Sequence, residues 1–105
     1  MTTTLCNSTV LQASNFIDPK GGLVSSAALL ADAVNAQLAQ SDFVVVDLDG
    51  LRSVSSSYFN TLLSKVAENW GADAIQGRIS FRFSSSAQRV IYDRSYRAVL
   101  NRLGV

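Results

Sequence analysis

The sequence predicts an α/β fold with a parallel or mostly parallel sheet, and three observations carry this prediction. A strongly apolar, β-branched run occupies residues 43–48. Amphipathic stretches with helical spacing lie on both sides of that run, and an alternating strand pattern follows later in the chain. Strands that alternate with helices are typical of parallel sheets joined by right-handed crossovers. The predicted order of elements is therefore β-α-β-α-β-α.

The first strand and the first helix are predicted in the N-terminal part of the chain. Residues 4–12 predict a strand. The alanine-rich residues 26–40 predict a helix of roughly four turns, with Ser25 or Ser26 as its N-cap. One face of this helix carries an apolar stripe made of Leu30, Val34 and Leu38.

The clearest strand is the run at residues 43–48, FVVVDL. Because it is continuously apolar rather than alternating, it favours a strand covered on both faces. A helix with one apolar face follows and ends at Gly71. The residues of that face are Phe59, Leu62, Leu63, Val66 and Trp70. We therefore expect Trp70 in the core.

The last strand and helix are predicted in the C-terminal part of the chain. Residues 78–83 alternate polar and apolar side chains, which predicts a strand with one solvated face. Ser85 and Gln88 have the spacing of a capping box. The apolar phase of the final segment slips near residues 93–95, so the pattern leaves open whether one bent helix or two short ones follow.

Length, composition and charge exclude several classes of protein. At 105 residues, the chain is long enough for one domain, which we place at residues 1–105. The net charge of +1 argues against a nucleic-acid partner. Neither a signal peptide nor an apolar run long enough to cross a membrane is recognisable, so we expect a cytoplasmic protein without membrane attachment.

The residue types argue against catalysis. The chain has no histidine, a single cysteine and no glycine-rich phosphate loop. Asp47 and Asp49 follow the central strand, at the edge where open α/β sheets bind ligands, and two carboxylates could hold Mg²⁺. Alternatively, Asp49 and Gly50 form a turn while Asp47 bonds a neighbouring loop. We expect no enzyme activity, no metal and no cofactor.

Residues 44–65, VVVDLDGLRSVSSSYFNTLLSK, resemble the central motif of STAS domains, the anti-sigma-factor antagonist family. In that family an apolar strand ends in a D-L-x-G-V turn, and a D-S-S-G motif opens an amphipathic helix. Residues 47–51 match the turn, and Ser56 and Ser57 match the motif serines. Ser55 replaces the motif aspartate and Tyr58 the motif glycine, so the chain looks closer to the divergent STAS-like domains of unknown function.

This resemblance implies a non-catalytic regulatory module that binds a protein partner, either a histidine-kinase-like ATPase or another regulator. In the antagonist family the partner kinase phosphorylates the serine that corresponds to Ser56. We expect Tyr58 near the surface, as an interface anchor or a plain surface aromatic. The predicted partner-binding residues are Asp49, Arg52, Ser55, Ser56, Ser57 and Tyr58.

The alternative function is that of a small inhibitor or adaptor, from a mobile element, acting through an arginine-rich C-terminal segment. Residues 78–105 hold six of the seven arginines and one acidic residue. The candidate basic face consists of Arg89, Arg94, Arg97 and Arg102. Because their spacing does not place all four on one stripe, an ordinary solvated helix face is the other interpretation. Whether the protein forms a homo-oligomer stays open.

Overall fold

A computed structural model describes residues 8–51 and 54–104. The strands are β1 (Ser8–Gln12), β2 (Phe43–Asp47) and β3 (Ile79–Arg82), and a short 3-10 helix at Ala13–Asn15 follows β1. The α-helices are α1 (Gly22–Leu38), α2 (Ser56–Trp70), α3 (Ala72–Gly77) and α4 (Ser86–Arg102). The α/β fold and the order of its main elements are thus as predicted, while the short α3 was not predicted.

The three strands form one parallel sheet in the order β1-β2-β3, which confirms the predicted parallel arrangement. β2 lies in the centre, with Val45 beside Val10 of β1 and Val46 beside Phe81 of β3. Because the carboxyl ends of parallel strands meet at one edge, the loops that follow β1 and β2 lie close together. The candidate site is built at this edge.

The prediction that β2 is covered on both faces was wrong. Its burial alternates, with Val44 and Val46 fully buried and Val45 only partly buried. Val10, which pairs with Val45, is 47% exposed. The reason is the strand order: two right-handed crossovers that advance in one direction place their helices on the same face of the sheet. Side chains on the opposite face therefore remain accessible.

The first helix begins four positions earlier than predicted, at Gly22, with Gly21 rather than Ser25 or Ser26 as its N-cap. A Cβ atom at Gly21 would overlap the Asp18 carboxylate and the Ser25 side chain. Ser26 lies inside the first turns of α1. Its hydroxyl accepts a hydrogen bond from the Asp18 amide (2.9 Å) and donates to the Gly22 carbonyl (2.9 Å). Ser26 therefore fastens the β1–α1 loop to the helix.

The prediction that Trp70 lies in the core was wrong, although α2 ends before Gly71 as predicted. Trp70 is 37% exposed, and the Arg78 guanidinium lies 5.3 Å from its ring centroid. Trp70 occupies the last turn of α2, and the buried Ala74 and Ile75 of α3 supply core side chains just beyond it. Trp70 lies on the same face of α2 as the apolar stripe. Because it is the last residue of the helix, its side chain remains partly exposed.

The C-terminal segment is a single helix, α4, which resolves the alternative left open by its pattern. The phase slip arises because the buried position 95 is a serine, whose hydroxyl donates to the Ser56 carbonyl at 3.1 Å. The Ser85 hydroxyl caps the helix by accepting a hydrogen bond from the backbone amide of Gln88 (3.2 Å). The Gln88 side chain in turn accepts from the Ser84 amide (2.8 Å), one residue before the position used in a standard capping box. No helix among the described residues is long and apolar enough to span a membrane.

Candidate functional site

The loop after β2 is a tight turn at the carboxyl edge of the sheet. The Leu51 amide donates to the Leu48 carbonyl at 3.2 Å. Gly50 has a φ of +92°, a conformation that side chains other than glycine rarely adopt. The Asp49 amide donates to the Asp47 carboxylate at 2.9 Å. The expected turn at Asp49 and Gly50 is therefore confirmed, whereas Asp47 bonds this same turn rather than a neighbouring loop.

Asp47 also ties the central strand to both of its neighbours. Its carboxylate accepts a hydrogen bond from the Gln12 side chain at 3.4 Å and lies 3.9 Å from the Arg82 guanidinium. Arg82 is largely exposed, so this ion pair adds little to stability. Within residues 8–51 and 54–104, no three acidic, cysteine or histidine side chains come together in a way that could hold a metal. Asp47 thus links the central strand to the turn that follows it and to both neighbouring strands.

The three consecutive serines at the start of α2 have different roles. Ser55 is the N-cap, with a φ of −134° and a hydroxyl that accepts from the Tyr58 amide at 3.4 Å. Ser56 and Ser57 are exposed on the first turn. Among the described residues, neither of their hydroxyls has a hydrogen-bond partner, whereas the Ser56 carbonyl is held by Ser95. The capping role of Ser55 therefore leaves the Ser56 hydroxyl free at the surface.

The prediction that Tyr58 lies near the surface was wrong, because its side chain is fully buried. α2 contacts both α1 and α4. A helix that packs against two other helices needs a broader apolar face than a single stripe. The buried set of α2 accordingly forms two neighbouring columns: Tyr58, Phe59, Leu62, Leu63, Val66 and Ala67. As a buried residue, Tyr58 cannot anchor a partner on this surface.

The Tyr58 hydroxyl is buried without a hydrogen-bond partner in the described part of the chain. Burial raises the pKa of Tyr58 to about 12. The phenol is therefore neutral at physiological pH and can act as a hydrogen-bond donor. Burial also raises the pKa of Tyr92, and the neighbouring Tyr96 and Asp93 add to that increase.

We expect the raised pKa of Tyr58 to make stability fall in alkaline solution. The folded state keeps the phenolic proton up to about pH 12, whereas an unfolded tyrosine loses it near pH 10. The contribution of the neutral Tyr58 phenol to the free energy of unfolding is complete below about pH 10. This contribution is lost as the pH rises through about 12, which lowers the free energy of unfolding by on the order of 2 kcal/mol. Urea unfolding at about pH 8 and about pH 11.5 should show a smaller loss in Tyr58→Phe than in the wild type. Equal losses would contradict this assignment.

The structure does not gather the four C-terminal arginines into one basic face. The Arg102 guanidinium donates to the Ser64 hydroxyl of α2 at 3.0 Å. The Arg89 guanidinium lies 5.9 Å from the Phe83 ring centroid, on the side of β3. Arg94 and Arg97 are exposed on α4. Arg52, the remaining basic residue of the predicted site, lies outside the described residues.

Sequence reasoning missed a cleft beside the β2–α2 loop. It has a volume of about 360 Å³ and lies where the β1–α1 loop, the start of α1 and the β2–α2 loop meet. The described residues of its wall are Ile17, Asp18, Gly22, Leu23, Ser26, Gly50, Leu51 and Tyr58. The available signal was the pair of apolar residues, Ile17 and Leu23, that flank the polar turn at residues 18–22.

A family model described as a STAS-like domain of unknown function matches residues 26–88. The chain belongs to this family. The match runs from the first turns of α1 to the first turn of α4, and it includes the β2–α2 loop and the serines at the start of α2. The resemblance to the divergent STAS-like domains is thus confirmed. No curated protein and no solved structure gave a significant match to the chain.

Proposed function

We propose that this STAS-like domain is a non-catalytic regulatory module that binds a protein partner at the exposed start of α2. The proposed contact surface, here called the serine surface, consists of Asp49, Ser55, Ser56 and Ser57. Asp49, Ser56 and Ser57 are exposed, and Ser55 is partly buried. The proposal leaves out Tyr58, which is buried.

The observation that carries the proposal is that Ser55 caps α2 whereas the Ser56 hydroxyl is exposed. Because Ser55 already caps α2, modification of the Ser56 hydroxyl would not remove the cap. Ser56 is the first residue of a 15-residue helix, where the helix dipole stabilises added negative charge. A phosphate on Ser56 can therefore be accommodated without loss of the fold.

Phosphorylation of Ser56 is proposed to release the partner. A phosphate adds a charge of about −1.5 to −2 to a surface that already carries the exposed carboxylate of Asp49. Like-charge repulsion and desolvation then weaken a partner docked on this surface. By its resemblance to the antagonist family, the proposed partner is a histidine-kinase-like ATPase that phosphorylates Ser56.

The alternative function through the C-terminal arginines has weaker support. Arg89 and Arg102 contact side chains of the same chain, so Arg94 and Arg97 alone remain for a partner. Two exposed arginines on one helix are common on protein surfaces. We therefore propose the serine surface as the binding site.

Mapping the phosphate on protein purified from its native cells tests the proposal. We expect a fraction of the chain to be heavier by about 80 daltons, the mass of one phosphate group, and fragmentation to place that mass on Ser56. Ser86 is the internal control, because it is the exposed first residue of α4 and follows a capping serine, as Ser56 does in α2. Phosphate on Ser86 to the same extent, or on no serine of α2, would contradict phosphoregulation at this site.

A further inference from the structure

We propose that the cleft beside the serine surface binds a small, neutral, mainly apolar molecule through a hydrogen bond from the Tyr58 hydroxyl to a carbonyl oxygen of the ligand. This inference is independent of the proposed function, because it concerns a different surface and a different kind of ligand. The cleft volume of about 360 Å³ falls within the range of small-molecule sites. It exceeds twice the volume of roughly 150 Å³ that suffices for benzene in an apolar cavity.

Tyr58 is the feature that points to a ligand. It is fully buried, it forms part of the cleft wall, and no described residue pairs with its hydroxyl. A buried hydroxyl without a partner destabilises the folded protein. Phenylalanine at this position would avoid that cost. A ligand oxygen in the cleft would supply the partner that the described residues do not provide.

A second group of hydrogen-bond donors lies at the start of α1. Gly22 and Leu23 line the cleft and belong to the first turn of this 17-residue helix. Gly21, the N-cap, provides no side-chain hydrogen bond, so the first amides of α1 are not satisfied by a capping side chain. Both the helix end and the Tyr58 phenol therefore favour an oxygen acceptor on the ligand.

The charge balance of the wall favours a neutral ligand. Among the described residues of the cleft wall, Asp18 carries a carboxylate and none is a lysine or an arginine. The Asp18 carboxylate repels an anion, while the positive end of α1 repels a cation. A ketone, ester or amide oxygen satisfies the donors without either repulsion.

The rest of the wall suits an apolar body. Ile17 and Leu23 are 51% and 36% exposed, so they would bury more apolar surface when the cleft is filled. Leu51 contributes a third aliphatic side chain. A ligand with one ring and a carbonyl group matches this combination of apolar surface and oxygen acceptor.

Binding of acetophenone to the isotope-labelled full chain, followed by amide NMR shifts, tests this inference. We expect saturable shifts at Gly22, Leu23, Gly50 and Leu51 in the millimolar range. Ethylbenzene, which lacks the carbonyl, should shift the same amides but bind more weakly. Shifts that are absent up to the solubility limit, or that fall mainly outside the cleft, would overturn the proposal.

Two variants with a matched control sharpen the test. Tyr58→Phe should weaken acetophenone binding by about three- to tenfold, leave ethylbenzene binding unchanged, and melt no lower than the wild type. Leu23→Ala should weaken both ligands, whereas Val24→Ala, which is exposed one residue later and outside the cleft wall, should weaken neither. Unchanged acetophenone affinity in Tyr58→Phe would overturn the proposal, because it would show that the hydroxyl does not bond the ligand. A clearly lower melting temperature of Tyr58→Phe would overturn it too, because it would reveal a protein partner for the hydroxyl.

Discussion

Replacing Phe59 with alanine is expected to lower the free energy of unfolding by about 3–5 kcal/mol. Phe59 is fully buried at the point where α2, β3 and α4 meet. Its ring makes edge-to-face contacts with Tyr58, Phe81 and Tyr92 at centroid distances of 5.5, 6.0 and 5.4 Å. Truncation would remove all three contacts and leave a cavity in the core.

Urea unfolding of Phe59→Ala beside Trp70→Ala measures this effect with an internal control. Both variants remove a large aromatic from the same predicted stripe of α2. Because Trp70 is 37% exposed and lies over Arg78, its loss is expected to cost about 1 kcal/mol. Equal losses in the two variants would contradict the burial pattern described for α2.

The main elements were predictable because their signals are local. The β-branched residues 43–48 indicated the central strand, and the spacing of Phe59, Leu62 and Leu63 indicated the buried face of α2. Ser85 was recognisable as a cap because the capping interaction spans three residues. Each of these features depends on neighbours within about two helical turns.

The errors at Tyr58 and Trp70 share one physical origin. A helical pattern gives the direction in which each side chain points, but the number of neighbouring elements on that side depends on the tertiary fold. Tyr58 is buried at the wall that α2 shares with the β1–α1 loop and the start of α1. The Trp70 side chain lies on the same face of α2 as the apolar stripe, but Trp70 is the last residue of the helix. The local sequence contains neither piece of information.

Contacts between residues far apart in the sequence could not be predicted from the local pattern either. Arg78 donates hydrogen bonds to the carbonyls of Leu38, Ser41 and Asp42 at 2.9–3.0 Å, and these residues lie 36 to 40 positions earlier. Sequence reasoning assigned Arg78 only to the start of a strand and to a basic segment. The structure shows that its guanidinium satisfies carbonyl groups at the end of α1 and in the loop that follows it.

The site was predictable in part. The resemblance to the antagonist family pointed to Ser56, and the structure places this serine exposed on the first turn of α2. The capping role of Ser55 could be expected from a serine before an amphipathic run. The cleft could not be predicted, because its wall combines the β1–α1 loop with the β2–α2 loop, which are separated in sequence by the whole of α1.

The matched pair Ser56→Glu and Ser86→Glu separates partner binding from folding. Both residues are exposed first residues of long helices that follow a capping serine. A carboxylate at this position interacts favourably with the helix dipole, so neither variant should lower the melting temperature. If only Ser56→Glu weakens partner binding, the loss is therefore caused by the added charge at the start of α2 and not by a loss of stability.

The most direct test of the account is quantitative capture of proteins from native cell extract on immobilised wild-type protein and its variants. We predict that Ser56→Glu reduces the captured partner by at least about tenfold, because the added charge repels a docked protein, while Ser86→Glu retains it. Reversing the charge of both Arg94 and Arg97 should also leave capture intact. Undiminished capture by Ser56→Glu, or loss only in the arginine variant, would contradict the assignment of the binding surface to the start of α2.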